Sequence, residues 1–140
     1  MSESGSSDAP AVLVDRAGGI GTVTLHRPEV RNAINGDLRR GLRRAMEDLE
    51  ADPDVAVVVL TGTDPAFCAG LDLREVGRGN PDVIGNQTSG SSRPFPPMTK
   101  PIIGAINGPA ITGGFELALN CDLLIASDRA AFADTHARVG

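Results

Sequence analysis

Several features that would point to particular functions are missing from this sequence. It has only two cysteines, Cys68 and Cys121, and neither belongs to a CxxC pair or lies near a pair of histidines spaced for a metal. A disulfide framework and a metal site of the usual spacing are therefore excluded, and we expect both thiols to be buried and reduced. No GxGxxG or Walker pattern is present either, which disfavours a nucleotide-binding domain.

Long apolar runs and an excess of positive charge are also missing. No stretch approaches the ~18 consecutive apolar residues of a membrane helix, so we expect no membrane partner. Acidic residues outnumber basic ones by 18 to 13, for a net charge of −5. A broad surface for nucleic acid is therefore not expected, and an anionic ligand would need a local basic cluster.

The start of the chain carries no targeting pattern. Residues 1–10 are small, polar and acidic, without the apolar core of a secretory signal or the arginines of an organellar transit peptide. We expect a disordered tail there, one core domain over residues 11–140, and a cytoplasmic protein. The composition, 41% hydrophobic and 22% charged, is typical of a globular domain.

The sequence does contain an alternation of strand and helix patterns. Two short β-rich runs, residues 11–16 and 20–26, flank a glycine pair and predict a hairpin. Apolar residues recur at three- and four-residue spacing over residues 36–51, which predicts an amphipathic helix that ends near Pro53. The continuous apolar run at residues 55–60 predicts a strand covered on both faces of a parallel sheet.

The second half continues this alternation. Strands are predicted at residues 102–106, at 121–126, where the strand should be buried, and at 130–133. Helical turns are predicted at residues 71–76, and Gly113 should begin a helix that runs to about Asn120. The order of elements predicts an α/β fold with a βαβ-like unit.

Three segments combine a strand, a turn of small residues and the predicted start of a helix: residues 67–73, 107–110 and 112–116. Small turns let the backbone approach a ligand closely, and the first N–H groups of a helix have no partner within it. Such groups can stabilise negative charge that develops on an oxygen. Taken alone, however, glycine-rich turns are weak evidence for a site and are more often purely structural connections.

These segments, together with two others, resemble the crotonase superfamily of enoyl-CoA hydratases and isomerases. The matching stretches are HRPEVRNAI at residues 26–34, AFCAGLDL at 66–73, KPIIGAINGPAITGGFELA at 100–118 and NCDLLIAS at 120–127. The resemblance implies a crotonase-like spiral of repeated β-β-α units that acts on acyl-CoA thioesters. Because that fold ends in further helices, we expect the C-terminal helical region to be missing here and the chain to be a fragment or a truncated product.

The resemblance also implies the residues of the site. Leu71 and Gly113 would each contribute a backbone N–H to an oxyanion hole that polarises the thioester carbonyl. The implied substrate contacts are Arg27, Arg31, Asn32, Ala33, Ala69, Leu71, Asp72, Leu73, Arg74 and Gly113. The three arginines could pair with CoA phosphates, although each is also consistent with a solvated surface position. Coenzyme A is part of the substrate, so no separate cofactor is expected.

Two positions decide the chemistry that the resemblance implies. Glu116 lies where the family carries one of its two catalytic glutamates, and the second corresponds to position 136, which is histidine here. His136 is a candidate proton donor or acceptor, since general acid–base catalysis often uses histidine, and a non-catalytic histidine is the alternative. We expect an enoyl-CoA hydratase-like enzyme. An isomerase or another enolate-forming enzyme, and a non-catalytic acyl-CoA-binding or interaction protein, are the alternatives.

The family resemblance further implies a homotrimer or a dimer of trimers for the full-length protein. Without the helices that close the fold, this chain should expose apolar surface.

Overall fold

The computed structural model describes residues 9–79 and 93–135. Residues 1–8 of the predicted tail lie outside this part of the chain, and so does His136. The strands are β1 (Val12–Ala17), β2 (Ile20–Leu25), β3 (Val57–Gly62), β4 (Ile102–Ile106), β5 (Pro109–Ile111), β6 (Leu123–Ala126) and β7 (Ala131–Ala133). The helices are α1 (Gly36–Ala51), α2 (Leu73–Gly77) and α3 (Gly113–Leu119), and a 3-10 turn covers Pro28–Val30.

The main sheet begins with the predicted hairpin of β1 and β2. Gly18 and Gly19 form its turn at φ values of 59° and 79°, which glycine adopts without a steric penalty. β2, β3, β4 and β6 then run parallel, so the order within the described residues is β1-β2-β3-β4-β6. Parallel neighbours need a crossover connection, and α1 provides the one between β2 and β3.

The core lies between α1 and the sheet. Asn35 caps α1 by accepting a hydrogen bond from the Leu38 N–H at 2.9 Å. The apolar positions of the predicted helix are buried, as their periodicity requires: Leu38, Leu42, Ala45, Met46 and Leu49. β3 begins at Val57 and alternates between fully and partly buried residues, so one of its faces is covered more completely than the other.

β6 corrects a sequence-based expectation. The apolar stretch at residues 121–126 predicted a buried strand, but Leu123 and Ile125 are exposed in fractions of 57% and 61%. The reason is that β6 is the last strand of the sheet in the described part of the chain and pairs only with β4. Leu119 and Phe132 are also exposed. The expectation that the chain exposes apolar surface is thus confirmed.

A second, two-stranded sheet lies next to the glycine-rich segments in the chain. β5 pairs in parallel with β7, and Ala110 of β5 also forms a parallel bridge to Cys68. The turn at residues 107–110 therefore leads into a strand. This differs from the predicted helix start, because α3 begins only at Gly113, after the three residues of β5.

The residues that the structure describes contain neither a membrane-spanning helix nor a metal-binding cluster. None of their helices is both long enough and apolar enough to cross a membrane. No group of three or more histidine, cysteine, aspartate or glutamate side chains is placed to hold a metal ion there.

The end of α1 is tied to the segment before β4 by a polar cluster. The Glu50 carboxylate accepts hydrogen bonds from the Thr99 hydroxyl at 2.6 Å and from the Thr99 and Lys100 N–H groups. The Lys100 ammonium donates to the Leu49 carbonyl oxygen at 2.6 Å and to that of Asp52. The hydrogen bonds from Thr99, that of its hydroxyl first, lower the pKa of Glu50 below its ordinary value.

We expect Glu50 to make stability depend on pH. Its pKa is lower in the folded state than in the unfolded chain, where it is near 4.5. Its contribution is therefore present at neutral pH and is lost as the pH falls from about this value through the lower folded pKa. The Glu50→Gln variant should unfold at a lower urea concentration than the wild type at pH 7, and the difference should shrink towards pH 3. Glu29→Gln, at another exposed site, is the control. An equal difference at both pH values would contradict the prediction.

Candidate active site

Residues 67 and 68, in the loop after β3, are held beside β5 by backbone hydrogen bonds. Ile111 N donates to Cys68 O at 3.0 Å, and Phe67 N donates to Pro109 O at 3.1 Å. These bonds fix the course of the chain as it approaches Gly70 and Leu71. The first glycine-rich turn is therefore anchored to the strand that leads into α3.

The other side of this segment pairs with Ile34. Ile34 N donates to Gly70 O at 2.7 Å, and Asp72 N donates to Ile34 O at 2.8 Å, so both residues that flank Leu71 are bonded to Ile34. Successive backbone groups of an extended strand point in opposite directions. The N–H of Leu71 therefore points away from Ile34.

Gly113 lies next to this N–H. A Cβ built on Gly113 would be 3.6 Å from the Leu71 nitrogen, and one built on Gly70 would be 3.6 Å from the Gly113 nitrogen. Neither the Leu71 N–H nor the Gly113 N–H donates a hydrogen bond to any residue in the described ranges. Two adjacent backbone donors without acceptors are the arrangement that an oxyanion requires.

Glycine is required around these donors for two different reasons. Gly70 has a φ of 98°, and a Cβ there would lie 2.9 Å from Ile111 O. A Cβ on Gly114 would overlap the carbonyl oxygen of Cys68, so α3 begins directly against the backbone of the preceding loop. Gly113 has more room, and its missing side chain leaves open the space beside the Leu71 N–H.

Glu116 lies one helical turn after Gly113. Residues three apart share a face of a helix, so the Glu116 side chain leaves α3 on the same face as the Cα of Gly113. Its side chain is exposed and has no hydrogen-bond or ion-pair partner among the described residues. His136 lies outside those residues, and its pairing with Glu116 stays a prediction.

The arrangement agrees with a comparison of the sequence with known protein families. Residues 15–140 match the sequence model of the family described as enoyl-CoA hydratase/isomerase.

The chain belongs to the enoyl-CoA hydratase/isomerase family.

Individual members of the family are similar over most of this chain. A probable peroxisomal enoyl-CoA hydratase 1 of Arabidopsis thaliana is 45% identical over 89% of this chain and 47% of its own length. The crystal structure of an enoyl-CoA hydratase from Mycobacterium tuberculosis has 53% identity and a TM-score of 0.80, and 52% of it is covered. A carnitinyl-CoA dehydratase from Mycobacterium avium has 41% identity and a TM-score of 0.81. The predicted crotonase-like α/β fold is confirmed. The chain spans about half the length of these relatives.

Asn32, which the family resemblance implies as a substrate contact, has a structural role in this chain. Its side chain is fully buried, and its amide nitrogen donates to the carbonyl oxygens of Thr63, Ala66 and Phe67 at 2.9, 2.9 and 3.2 Å. Its amide oxygen accepts from Arg27 N at 2.8 Å. Asn32 thus fastens the segment before α1 to the loop after β3.

Asn107 holds the same loop from the other side, a role that sequence reasoning missed. Its amide nitrogen donates to Asp64 Oδ1 at 3.0 Å and to Ala66 O at 3.1 Å, and its amide oxygen accepts from Gly62 N at 3.2 Å. The available signal was an asparagine directly after a strand, since such residues often bond to nearby backbone. The two asparagines together hold the loop after β3, which leads to Leu71, in position.

Arg27 and Asp72 pair with each other. Arg27 Nη1 lies 3.2 Å from Asp72 Oδ2 and donates to Ala33 O at 2.6 Å. Asp72 also caps α2 by accepting from Arg74 N at 3.0 Å. Both side chains are largely buried, and the two N–H donors of Arg27 Nη1 are already engaged within the protein. Binding of CoA by these two residues stays a prediction.

The remaining implied contacts are exposed or contribute backbone groups. The side chains of Arg31 and Arg74 face solvent without an ion-pair partner among the described residues, and Leu73 is 79% exposed. Ala69 N donates to Arg31 O at 3.0 Å, which keeps the arginine beside the loop. Two arginines and a leucine with exposed side chains thus belong to the segment that pairs with Leu71 and to the one that follows it.

Cys68 is close to the donors but is not suited to be a nucleophile. It is fully buried, and burial raises the pKa of its thiol to about 11, so it stays protonated at neutral pH. Cys121 is partly buried, and burial followed by the charge of Asp122 raises the pKa of its thiol to about 11 as well. The expectation of burial is confirmed fully for Cys68 and in part for Cys121, and the reduced state of both thiols stays a prediction.

Proposed function

We propose that this chain forms the acyl-thioester site of an enoyl-CoA hydratase, which adds water across the 2,3 double bond of an enoyl-CoA. The observation that carries the proposal is the pair of adjacent backbone donors, Leu71 N–H and Gly113 N–H, without acceptors among the described residues. Relatives whose names include enoyl-CoA hydratase, from plants and bacteria, support it.

The chemistry follows from where charge develops. When the oxygen of water bonds to C3, the π electrons of the double bond move towards the thioester carbonyl, and its oxygen becomes enolate-like. The Leu71 and Gly113 N–H groups would donate to this oxygen more strongly than to the neutral carbonyl, which lowers the barrier. Glu116 would take the proton from water and return it to C2, so that the two parts of one water molecule are added. Exposed Glu116 is accessible to a substrate bound at the donors.

Double-bond isomerisation is the second candidate. His136 replaces the second glutamate of the family pattern, so the pair of carboxylic groups that hold a water in hydratases is not present at those two positions. A single carboxylate that removes a proton and returns it at another carbon suffices for isomerisation. The family description covers both reactions. A non-catalytic acyl-CoA-binding protein would keep the donors and lack turnover.

Recognition of CoA would come from the arginines near the donors. Arg31 and Arg74 have exposed guanidinium groups that could bind phosphates, and the remaining donors of Arg27 could add to them. Leu71, Leu73 and the backbone of Ala33 and Ala69 would line the acyl-pantetheine part. No separate cofactor is required, because activation of the carbonyl uses only backbone N–H groups.

Assembly and location are further parts of the proposal. The exposed apolar side chains of β6, with Leu119 and Phe132, support association as a homotrimer or a dimer of trimers in the full-length protein. We propose a cytoplasmic location without nucleic-acid or membrane partners, although one relative is named peroxisomal and another mitochondrial. Light scattering and the localisation of a fluorescent fusion test these two points.

Product analysis tests the proposed reaction. The protein is incubated with a panel of 2-enoyl-CoA and 3-enoyl-CoA thioesters, and the products are identified by mass. A gain in mass equal to one water molecule, from 2-enoyl-CoA, supports hydration. An unchanged mass with a shifted double bond supports isomerisation, and thioester binding without any product supports the non-catalytic alternative. Absence of both binding and turnover would refute the proposal.

A further inference from the structure

We propose that Thr112 and Thr135 form a positioning pair that sets the direction of the Gly113 N–H. The proposal rests on the proposed function, because it matters only if this N–H is an oxyanion donor. The two threonines do not belong to the implied substrate contacts. They act through the backbone that carries the donor.

Thr112 has an unusual backbone conformation. Its φ is 50° and its ψ is −104°, a region that glycine adopts readily and that a β-branched residue rarely occupies. The peptide unit between Thr112 and Gly113 contains the Gly113 N–H, so the ψ of Thr112 rotates this donor directly. An unrestrained threonine would leave this conformation, and the Gly113 N–H would then point in another direction. Contacts that hold Thr112 therefore also fix the direction of the donor.

Three hydrogen bonds hold Thr112 in this conformation. Thr112 N donates to Ala133 O at 2.8 Å. The hydroxyl oxygens of Thr112 and Thr135 are 2.6 Å apart, and Thr135 N donates to Thr112 Oγ1 at 3.2 Å. The first involves the last residue of β7, and the other two involve Thr135, two residues further along. β7 itself is paired with β5 immediately before Thr112. The Thr112 N–H thus connects the donor to β7, and the threonine pair adds a second contact just beyond the end of this strand.

The two donors of the hole are positioned by different contacts. Leu71 is held by the bonds of Gly70 and Asp72 to Ile34, and none of these involves the threonines. Loss of the Thr135 hydroxyl should therefore misdirect the Gly113 N–H and leave the Leu71 N–H in place. A defect limited to one donor distinguishes positioning from general destabilisation.

The test compares variants that differ by one hydroxyl group. Thr135→Val removes the hydroxyl at nearly constant shape, and Thr135→Ser restores it. Thr22→Val, on β2, makes the same change at a threonine whose hydroxyl has no hydrogen bond among the described residues, and serves as the matched control. Melting temperature, kcat and KM with crotonyl-CoA, and the carbonyl stretching frequency of the bound ¹³C-labelled thioester are measured for each.

We expect Thr135→Val to lower kcat by about 10-fold to 100-fold with little change in KM, which is below the ~10²–10³ cost of removing a donor entirely. The shift of the thioester carbonyl to lower frequency on binding should shrink in this variant. Thr135→Ser and Thr22→Val should behave like the wild type. If Thr135→Val does not fold, Thr135→Ala is used, since it removes the same hydroxyl without adding a methyl group.

Two outcomes overturn the proposal, and they can be told apart from failure of the proposed function. A folded Thr135→Val with wild-type kcat and an unchanged carbonyl shift contradicts positioning by the pair. If the wild type itself binds and converts no thioester, the proposed function fails. In that case the backbone ¹⁵N–¹H signals of the free protein still test the pair. The Gly113 signal should move in Thr135→Val and the Leu71 signal should not, and equal movement of both contradicts it.

Discussion

Glu116→Gln should lower the turnover of a 2-enoyl-CoA by about 10²–10⁴-fold, the usual contribution of general acid–base catalysis. The amide keeps the size and hydrogen-bonding capacity of the side chain but cannot take a proton from water. Because the Glu116 side chain is exposed and has no partner among the described residues, the fold should not depend on it. The measurements are kcat and KM, together with the melting temperature, which should stay unchanged.

Glu47→Gln is the matched control for this experiment. Glu47 is an exposed glutamate of α1, in an ion pair with Arg43 at 3.3 Å on the helix surface, and its replacement should leave kcat at the wild-type value. Turnover by Glu116→Gln within a factor of two of the wild type would refute a catalytic Glu116. Such a result would leave His136 or another group to carry the proton.

Asn32→Asp should destabilise the protein by about 3–5 kcal/mol, the cost of a buried charge that no opposite charge compensates. The carboxylate would face the carbonyl oxygens of Thr63, Ala66 and Phe67, which now accept hydrogen bonds from the amide of Asn32. Four electronegative oxygens would then meet without a donor between them. Chemical unfolding at pH 7 measures the change in free energy of unfolding.

Asn35→Asp is the matched control for the asparagine experiment. The Asn35 side chain accepts a hydrogen bond from Leu38 N, and aspartate is an equally good helix cap, so the stability should change by less than about 0.5 kcal/mol. Similar small losses for both variants would mean that the loop after β3 adjusts to a charge at residue 32. The structural role given to Asn32 would then be wrong.

The local elements could be predicted because their signals are local. The apolar spacing over residues 36–51 defines one face of a helix, and α1 has these bounds. The glycine pair between two β-rich runs likewise predicted the hairpin. The strand β5 was missed because its three residues are too few for a periodic pattern, and only its pairing with β7 and Cys68 makes it a strand.

The residues of the site were predicted from the family resemblance. Their relative positions could not be predicted from the sequence. The family motifs named Leu71 and Gly113, yet their adjacency depends on bonds among residues far apart in the chain, such as Ile34 to Gly70. Asn32 and Arg27 show the reverse case. The family motif implied both as substrate contacts. In the structure, their side chains form buried hydrogen bonds and an ion pair within the protein. The substrate and catalytic roles of the site residues remain predictions.

The sequence by itself determined the fold class, the family and the limits of α1, because periodicity and motifs are properties of neighbouring residues. Only the tertiary structure decided that β6 is exposed, that two asparagines hold the loop after β3, and that Thr112 is held at a positive φ beside Gly113. These features depend on which distant segments meet, since burial and hydrogen-bond partners arise from packing. The two oxyanion donors depend on both levels. Sequence motifs identify Leu71 and Gly113, and tertiary packing places their N–H groups next to each other.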